Sequence, residues 1–175
     1  VWLTGLSGSG KTTIARSLQL QLQQLGLPIE LLDGDEVRRQ LSPDLGFTKN
    51  DREMHARRVV YLSKLLAKNG IVSLVSLIAP YRSFRENARK EIVDYVEVYV
   101  KTPLETCIKR DPKGLYKKAL NGEITDMTGV QDPYEEPLNA EVVIETDRLT
   151  VDESARQILS KLKELGYIPQ MNLNI

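Results

Sequence analysis

Gly5-Leu6-Ser7-Gly8-Ser9-Gly10-Lys11-Thr12 is the stretch that decides the fold. It has the pattern G-x-x-x-x-G-K-T, and its flanks give the pattern meaning. The apolar run Val1-Trp2-Leu3-Thr4 precedes it. After it, Leu18, Leu22 and Leu25 recur at helical spacing between about Lys11 and Leu25, and Gly26 supplies the stop. A strand that passes through glycines into a helix lets successive backbone N–H groups curl around phosphates, with the positive helix end behind them. Lys11 can then reach the β- and γ-phosphates of ATP, and the Thr12 hydroxyl is placed to ligate Mg²⁺. Gly5, Ser7, Gly8, Ser9, Gly10, Lys11, Thr12 and Thr13 are the expected ATP-binding residues, with Lys11 also catalytic. The motif identifies a phosphoryl donor and leaves the acceptor open.

Outward from this loop the chain alternates strand and helix. Ile29 to Leu32 reads as a strand closing on Asp33-Gly34-Asp35. Residues from about Asn50 to Lys68 read as a helix with Val59, Leu62, Leu65 and Leu66 inward and Gly70 as its stop. Ile71 to Ile78 is a β-branched run, as expected of a strand covered on both faces. A charged helix from about Ser83 to Glu91, a strand from Tyr95 to Val100, a last strand from Glu141 to Glu145 and a closing helix from Asp152 to Leu165 complete the series. Cys107 falls on the apolar side of a short helix after Pro103 and reads as core. The alternation predicts an α/β domain, a parallel β-sheet flanked by helices on both faces. Residues 1–168 form that domain, and 169–175 read as a poorly ordered tail. The Gly-, Pro- and charge-rich stretch Pro112 to Pro137 reads as a mobile flap over the sheet edge.

Composition narrows the partners. The 175 residues carry 24 Lys+Arg and 24 Asp+Glu, so no global charge draws the chain to nucleic acid or to a membrane. An anion site must be local. A single cysteine excludes an internal disulfide and a multi-cysteine metal site. No apolar run approaches the roughly 20 residues that span a bilayer. A cytoplasmic location is the expectation. The chain opens directly on a strand at Val1, which points to upstream residues that were trimmed, were disordered or belonged to another module; a short natural N-terminus is the alternative.

Asp33-Gly34-Asp35 ends the second strand, with Arg38 one helical turn on. In an open parallel sheet, ligands bind beyond the carboxyl ends of the strands, so these carboxylates face the phosphate loop. One can hold Mg²⁺ through water while the other accepts a hydroxyl proton, and the sequence leaves open which does which. An Asx-type turn capping the next helix is the plainer reading.

Five segments together resemble the adenylylsulfate kinase (APS kinase) family of P-loop kinases: Leu3 through Thr12, Leu32-Asp33-Gly34-Asp35-Glu36-Val37-Arg38, Leu45-Gly46-Phe47 with Asp51-Arg52, Arg110 through Tyr116, and Thr128 through Glu135. The resemblance runs from Val1 to about Leu165. It implies the P-loop NTPase fold and transfer of the ATP γ-phosphoryl to the 3′-hydroxyl of adenosine 5′-phosphosulfate (APS), with Mg²⁺ as cofactor, in sulfate activation. It implies Asp33 and Asp35 as catalytic residues, Thr12 and Asp33 at the metal, and Arg110 near the ATP base. For the acceptor it implies Asp35, Glu36, Val37, Arg38, Phe47, Arg52, His55, Leu77, Ile78, Lys113, Leu115, Asp126 and Met127. A homodimer and a functional link to ATP sulfurylase follow from the resemblance alone. Arg57, Arg58, Arg82, Arg85 and Arg89 read as ordinary solvated surface arginines.

Three positions depart from the family pattern. Ala79 stands where many members have a serine proposed to carry a phosphoenzyme, so direct in-line transfer is expected here. Met127 replaces a second phenylalanine; it either completes a Phe–Met clamp on the acceptor base with Phe47 or fills an apolar gap. His55, the sole histidine, replaces an asparagine. On a polar helix face it reads as solvent-exposed or as a modest hydrogen-bond donor; against the acceptor, it would confer a pH dependence near neutrality. Asp132-Pro133-Tyr134 is expected to order the flap without direct chemistry. Two alternatives compete with the enzyme. One is a nucleotide-sensing module partnering a sulfurylase, which should have lost Lys11, Thr12 or an Asp of the pair. The other is a P-loop kinase for a different small hydroxyl acceptor.

Overall fold

The computed structural model describes residues 1–169. Five parallel strands form one sheet: β1 (Trp2–Thr4), β2 (Ile29–Asp33), β3 (Val72–Ser76), β4 (Glu97–Lys101) and β5 (Val142–Glu145), in the order β2-β3-β1-β4-β5. Seven helices connect and cover them: α1 (Lys11–Gln23), α2 (Gly34–Leu41), α3 (Lys49–Lys68), α4 (Arg82–Glu91), α5 (Leu104–Arg110), α6 (Leu115–Leu120) and α7 (Val151–Glu164). This is the α/β architecture expected from the alternation. The tail expected from 169 onward lies, from 170, outside the described residues.

Strand alternation divides the core in two. Leu3, Leu74, Val98 and Ile144 point to the face covered by α1 and α7, where they meet Ile14, Leu18, Leu22, Ile158 and Leu162. Trp2, Val75 and Leu32 point to the other face and meet Val37, Val59, Val60 and Ala88 of α2, α3 and α4. Because side chains alternate with period two, adjacent residues of one strand serve both clusters. Helix starts are set locally. Thr48 with Asp51 and Thr150 with Glu153 form capping boxes at α3 and α7, satisfying N–H groups that the first helical turn leaves without partners.

Three expectations change. Leu65 is exposed instead of inward, because it lies roughly 120° around α3 from fully buried Val59 at 3.6 residues per turn. The 112–137 stretch contains a helix, α6, whose N-terminus is capped by Asp111: Tyr116 N–H donates to Oδ1 at 3.1 Å and Lys117 N–H to Oδ2 at 3.0 Å. Pro112 and Gly114 precede the helix, whose Tyr116 and Ala119 pack against buried Cys107 and Met127. The stretch also folds back onto the sheet, with Tyr134 stacked on Tyr99 of β4 at 5.9 Å between ring centroids.

Leu22 is fully buried between α1 and the sheet. Leu22→Ala should therefore destabilise by about 2–5 kcal/mol, seen as a lower urea midpoint with an unchanged denaturant slope.

Candidate active site

The phosphate loop joins β1 to α1 at the carboxyl edge of the sheet. Its geometry follows from two glycines. A Cβ on Gly5 would collide with the Val100 carbonyl of β4, so only glycine lets the loop leave the sheet there. Gly10 caps α1 at φ 100° and contributes no side-chain acceptor, which leaves the first-turn N–H groups turned to the cavity. Lys11 Nζ donates to the carbonyls of Gly5 at 2.9 Å and Leu6 at 2.7 Å. Burial pulls this ammonium down to about 8, since withdrawal from water disfavours the charge.

One carboxylate links this loop to the second strand. Thr12 Oγ1 donates to Asp33 Oδ2 at 2.7 Å, and Ser76 Oγ lies 3.0 Å from the same hydroxyl. The other oxygen of Asp33 caps α2, accepting from Asp35 N–H at 3.1 Å and Glu36 N–H at 3.3 Å. Partial burial pushes the Asp33 carboxyl up. The Thr12 hydroxyl and the two backbone donors outweigh it and hold the group below the usual carboxylate range. One residue therefore both caps α2 and holds the Thr12 hydroxyl of the phosphate loop. An all-oxygen set of one carboxylate and adjacent hydroxyls fits a hard divalent cation that takes its remaining ligands from phosphates and water. Asp35, by contrast, is largely exposed and pairs with Lys113, which reaches across from the loop before α6.

Opposite the phosphate loop stands a wall of arginines and one ring. The Arg38 guanidinium lies over the Phe47 ring at 4.4 Å and bonds to the Gly46 carbonyl. Arg52 donates to Phe47 O at 2.7 Å and Thr128 Oγ1 at 3.1 Å, and it also engages the Asp126 carbonyl. Phe47 itself is 58% exposed. A single cavity of about 630 Å³ connects this wall to the phosphate loop, with Leu77 to Pro80 as its floor.

The family model for adenylylsulphate kinase matches residues 1–145. The chain belongs to the adenylylsulfate kinase family. A probable adenylyl-sulfate kinase of Pyrococcus abyssi is 55% identical over 169 residues, 97% of each chain. An adenylyl-sulfate kinase of Rippkaea orientalis is 51% identical over 168 residues, covering 96% of this chain and 93% of the relative. The APS kinase of Mycobacterium tuberculosis, solved in complex with AMPPNP and APS, superposes with a TM-score of 0.89 at 42% identity, over 93% of this chain and 95% of that one.

Most residues expected at an adenylylsulfate kinase site meet in this cavity: Ser7 through Thr13, Asp33, Asp35, Arg38, Phe47, Arg52, His55, Leu77, Ile78, Arg110 and Lys113 line it. Gly5 lies beneath the loop as an acceptor for Lys11. Val37 belongs to the core, Glu36 is exposed, and Leu115 packs with Met127 around Cys107; none of these side chains lines the cavity. Asp126 contributes its carbonyl to Arg52. Met127 is buried and fills the gap beneath α6. Thr146, Leu149, Thr150, Val151 and Ser154 also line the cavity beside Arg110, a wall the sequence reading missed. Their one advance signal was position, just past the carboxyl end of the last strand. Arg110 donates to the Thr146 carbonyl at 3.0 Å.

His55 corrects the sequence expectation. It is 4% exposed, because Ser42 at the end of α2 supplies a polar partner 2.9 Å from Nδ1. Nε2 is buried without a partner among the described protein atoms, and the residue lines the cavity. Burial, followed by the charges of Arg38 and Arg58, lowers its pKa from 6.5 to about 4. The imidazole is neutral at physiological pH, so it introduces no switch near neutrality. The unfolded chain binds this proton from about pH 6.5 downward, whereas the folded protein resists until about pH 4. Stability contributed by neutral His55 is complete above pH 6.5 and drains as pH falls toward 4. Urea melts of wild type and His55→Asn across pH 4–7 should show a steeper acid loss in the wild type.

Proposed function

We propose that this chain transfers the γ-phosphoryl group of ATP to the 3′-hydroxyl of APS, giving 3′-phosphoadenosine 5′-phosphosulfate and ADP. The observation that carries the proposal is the single cavity joining a phosphate loop to the Arg38–Phe47–Arg52 wall, large enough for a donor and an acceptor to meet. The donor's phosphates lie on the loop N–H groups and Lys11, and its base lies between Arg110 and the Thr146–Val151 segment. Phosphate oxygens replace the Gly5 and Leu6 carbonyls as partners of Lys11 and compensate its burial. The acceptor base stacks on Phe47, and Arg38, Arg52 and Lys113 neutralise its phosphosulfate.

Thr12 and Asp33 would hold Mg²⁺, whose role is to neutralise charge on the β- and γ-phosphates. Asp33 is already committed through both oxygens, to Thr12 and to the α2 N-terminus. Asp35 is bound only by the movable Lys113 side chain among the described residues, which supports Asp35 as the proton acceptor. The 3′-oxygen forms its bond to Pγ as the bond from Pγ to the bridging oxygen of ADP breaks. The hydroxyl proton passes to the Asp35 carboxylate. Ala79 offers no hydroxyl at the cavity floor, so transfer is direct.

Incubation with ATP, Mg²⁺ and APS should yield the 3′-phosphorylated product; a folded protein that forms none ends the proposal. Within it, Asp35→Asn should lower kcat by about 10²–10⁴-fold with ATP affinity retained. Asp33→Asn should instead raise the Mg²⁺ concentration needed for half-maximal rate. Measuring kcat against Mg²⁺ for both variants separates the roles.

A further inference from the structure

Arg85 reads in the sequence as a surface charge, yet in α4 it is 3% exposed. Its guanidinium reaches three separate chain segments. Nη1 donates to the Ala79 carbonyl at 2.5 Å, and Nη2 donates to the Glu135 carbonyl at 2.5 Å. Nε lies 2.9 Å from Glu97 Oε1 at the start of β4, and the Tyr134 ring lies 5.7 Å from the guanidinium carbon. Arg89 and Arg82, also read as solvated, pair with Glu141 and with the Glu136 carbonyl.

The partners of Arg85 matter because of where they sit. Ala79 lies in the cavity floor at φ 42°, a left-handed conformation that costs a residue with a Cβ and persists only when surrounding bonds impose it. Three successive floor carbonyls are each taken by a scaffold donor. Ile78 O accepts from Thr4 Oγ1 at 2.6 Å, Ala79 O from Arg85, and Pro80 O from Glu135 N–H at 2.8 Å. Tyr134 completes the joint, since Thr4 Oγ1 has spent its own hydrogen and accepts from the Tyr134 hydroxyl at 2.9 Å. On the other side of this joint, the 126–132 segment carries the Asp126, Thr128 and Asp132 groups that hold Arg52.

We infer that Arg85 is a positioning residue for the acceptor nucleotide: it locks the cavity floor at Ala79 to the 126–135 segment, and through that segment sets where Arg52 presents its charge. It touches neither nucleotide. Arg85 makes no bond to the phosphate loop; the loop meets this joint only through Thr4, whose backbone is fixed by pairing with β4, so the donor half of the site is less coupled to Arg85 than the acceptor half. The inference rests on the reaction proposed above.

Arg85→Lys keeps the charge opposite Glu97, but a single ammonium cannot reproduce the planar fork that spans both carbonyls. It should raise the KM for APS by about tenfold while leaving the KM for ATP within about twofold, the scale expected for lost charge-assisted hydrogen bonds. Leu162→Ala, in the core on the opposite sheet face, controls for stability alone and should leave both KM values unchanged. If Arg85→Lys does not fold, Tyr134→Phe decides instead: it removes only the hydroxyl bond to Thr4 and should raise the KM for APS selectively by about threefold. Equal shifts in the two KM values, or none, overturn the inference. Wild type that does not phosphorylate APS fails the reaction itself, whereas normal wild-type turnover without the split fails Arg85 alone.

Discussion

The hydrogen bond from Thr12 to Asp33, 2.7 Å long, is the contact on which the site depends. It ties the first turn of α1, which follows β1, to the end of β2, although β3 lies between those two strands in the order β2-β3-β1. Ser76, at the end of β3, closes the gap from below at 3.0 Å. Three parallel strands thus deliver one hydroxyl, one carboxylate and one further hydroxyl to a single point. Parallel pairing makes this possible because every strand ends at the same edge of the sheet. The register Leu3 to Ser76 and Asp33 to Ser76 places those ends level.

Charge is managed by the same economy of position. A neutral chain that collects two phosphorylated nucleotides cannot rely on its overall field, so each cation must be fixed. Lys11 is held by loop carbonyls, Arg38 by a ring and a carbonyl, Arg52 by the 126–132 segment, and Lys113 by Asp35. These interim partners are neutral carbonyls, a ring and a hydroxyl, or carboxylates that binding would release. Phosphates that displace these partners meet cations already placed by the fold.

What the sequence disclosed and what it hid separates along a physical line. Local signals were legible: the glycine loop, the helical spacing of Leu18 and Leu22, the β-branched run of β3. The Asp33 turn was legible too, because capping involves residues two or three apart. The hidden features all depend on distant partners. Arg85 looks solvated until Glu97 and Glu135 are brought to it. His55 sits on a helix face that reads as polar, and only Ser42, folded over it, shows that face to be interior. The Thr146–Val151 wall has no motif at all; it becomes part of the site because β5 pairs with β4 and ends beside Arg110.

The stack of Arg38 on Phe47 carries a further consequence. The ring is 58% exposed, yet two guanidinium groups already lie over it, Arg38 at 4.4 Å and Arg52 at 5.8 Å from its centroid. An incoming base that takes a guanidinium's place exchanges one planar cation for one planar heterocycle and strips little fresh water from the ring. The enthalpy gained is then the difference between two stacks, with a correspondingly small heat-capacity change. A base that adds to the stack with both guanidinium groups in place would instead bury new apolar surface. Calorimetry of acceptor binding across temperature therefore reads out whether the base displaces a guanidinium from this phenylalanine or adds to the stack.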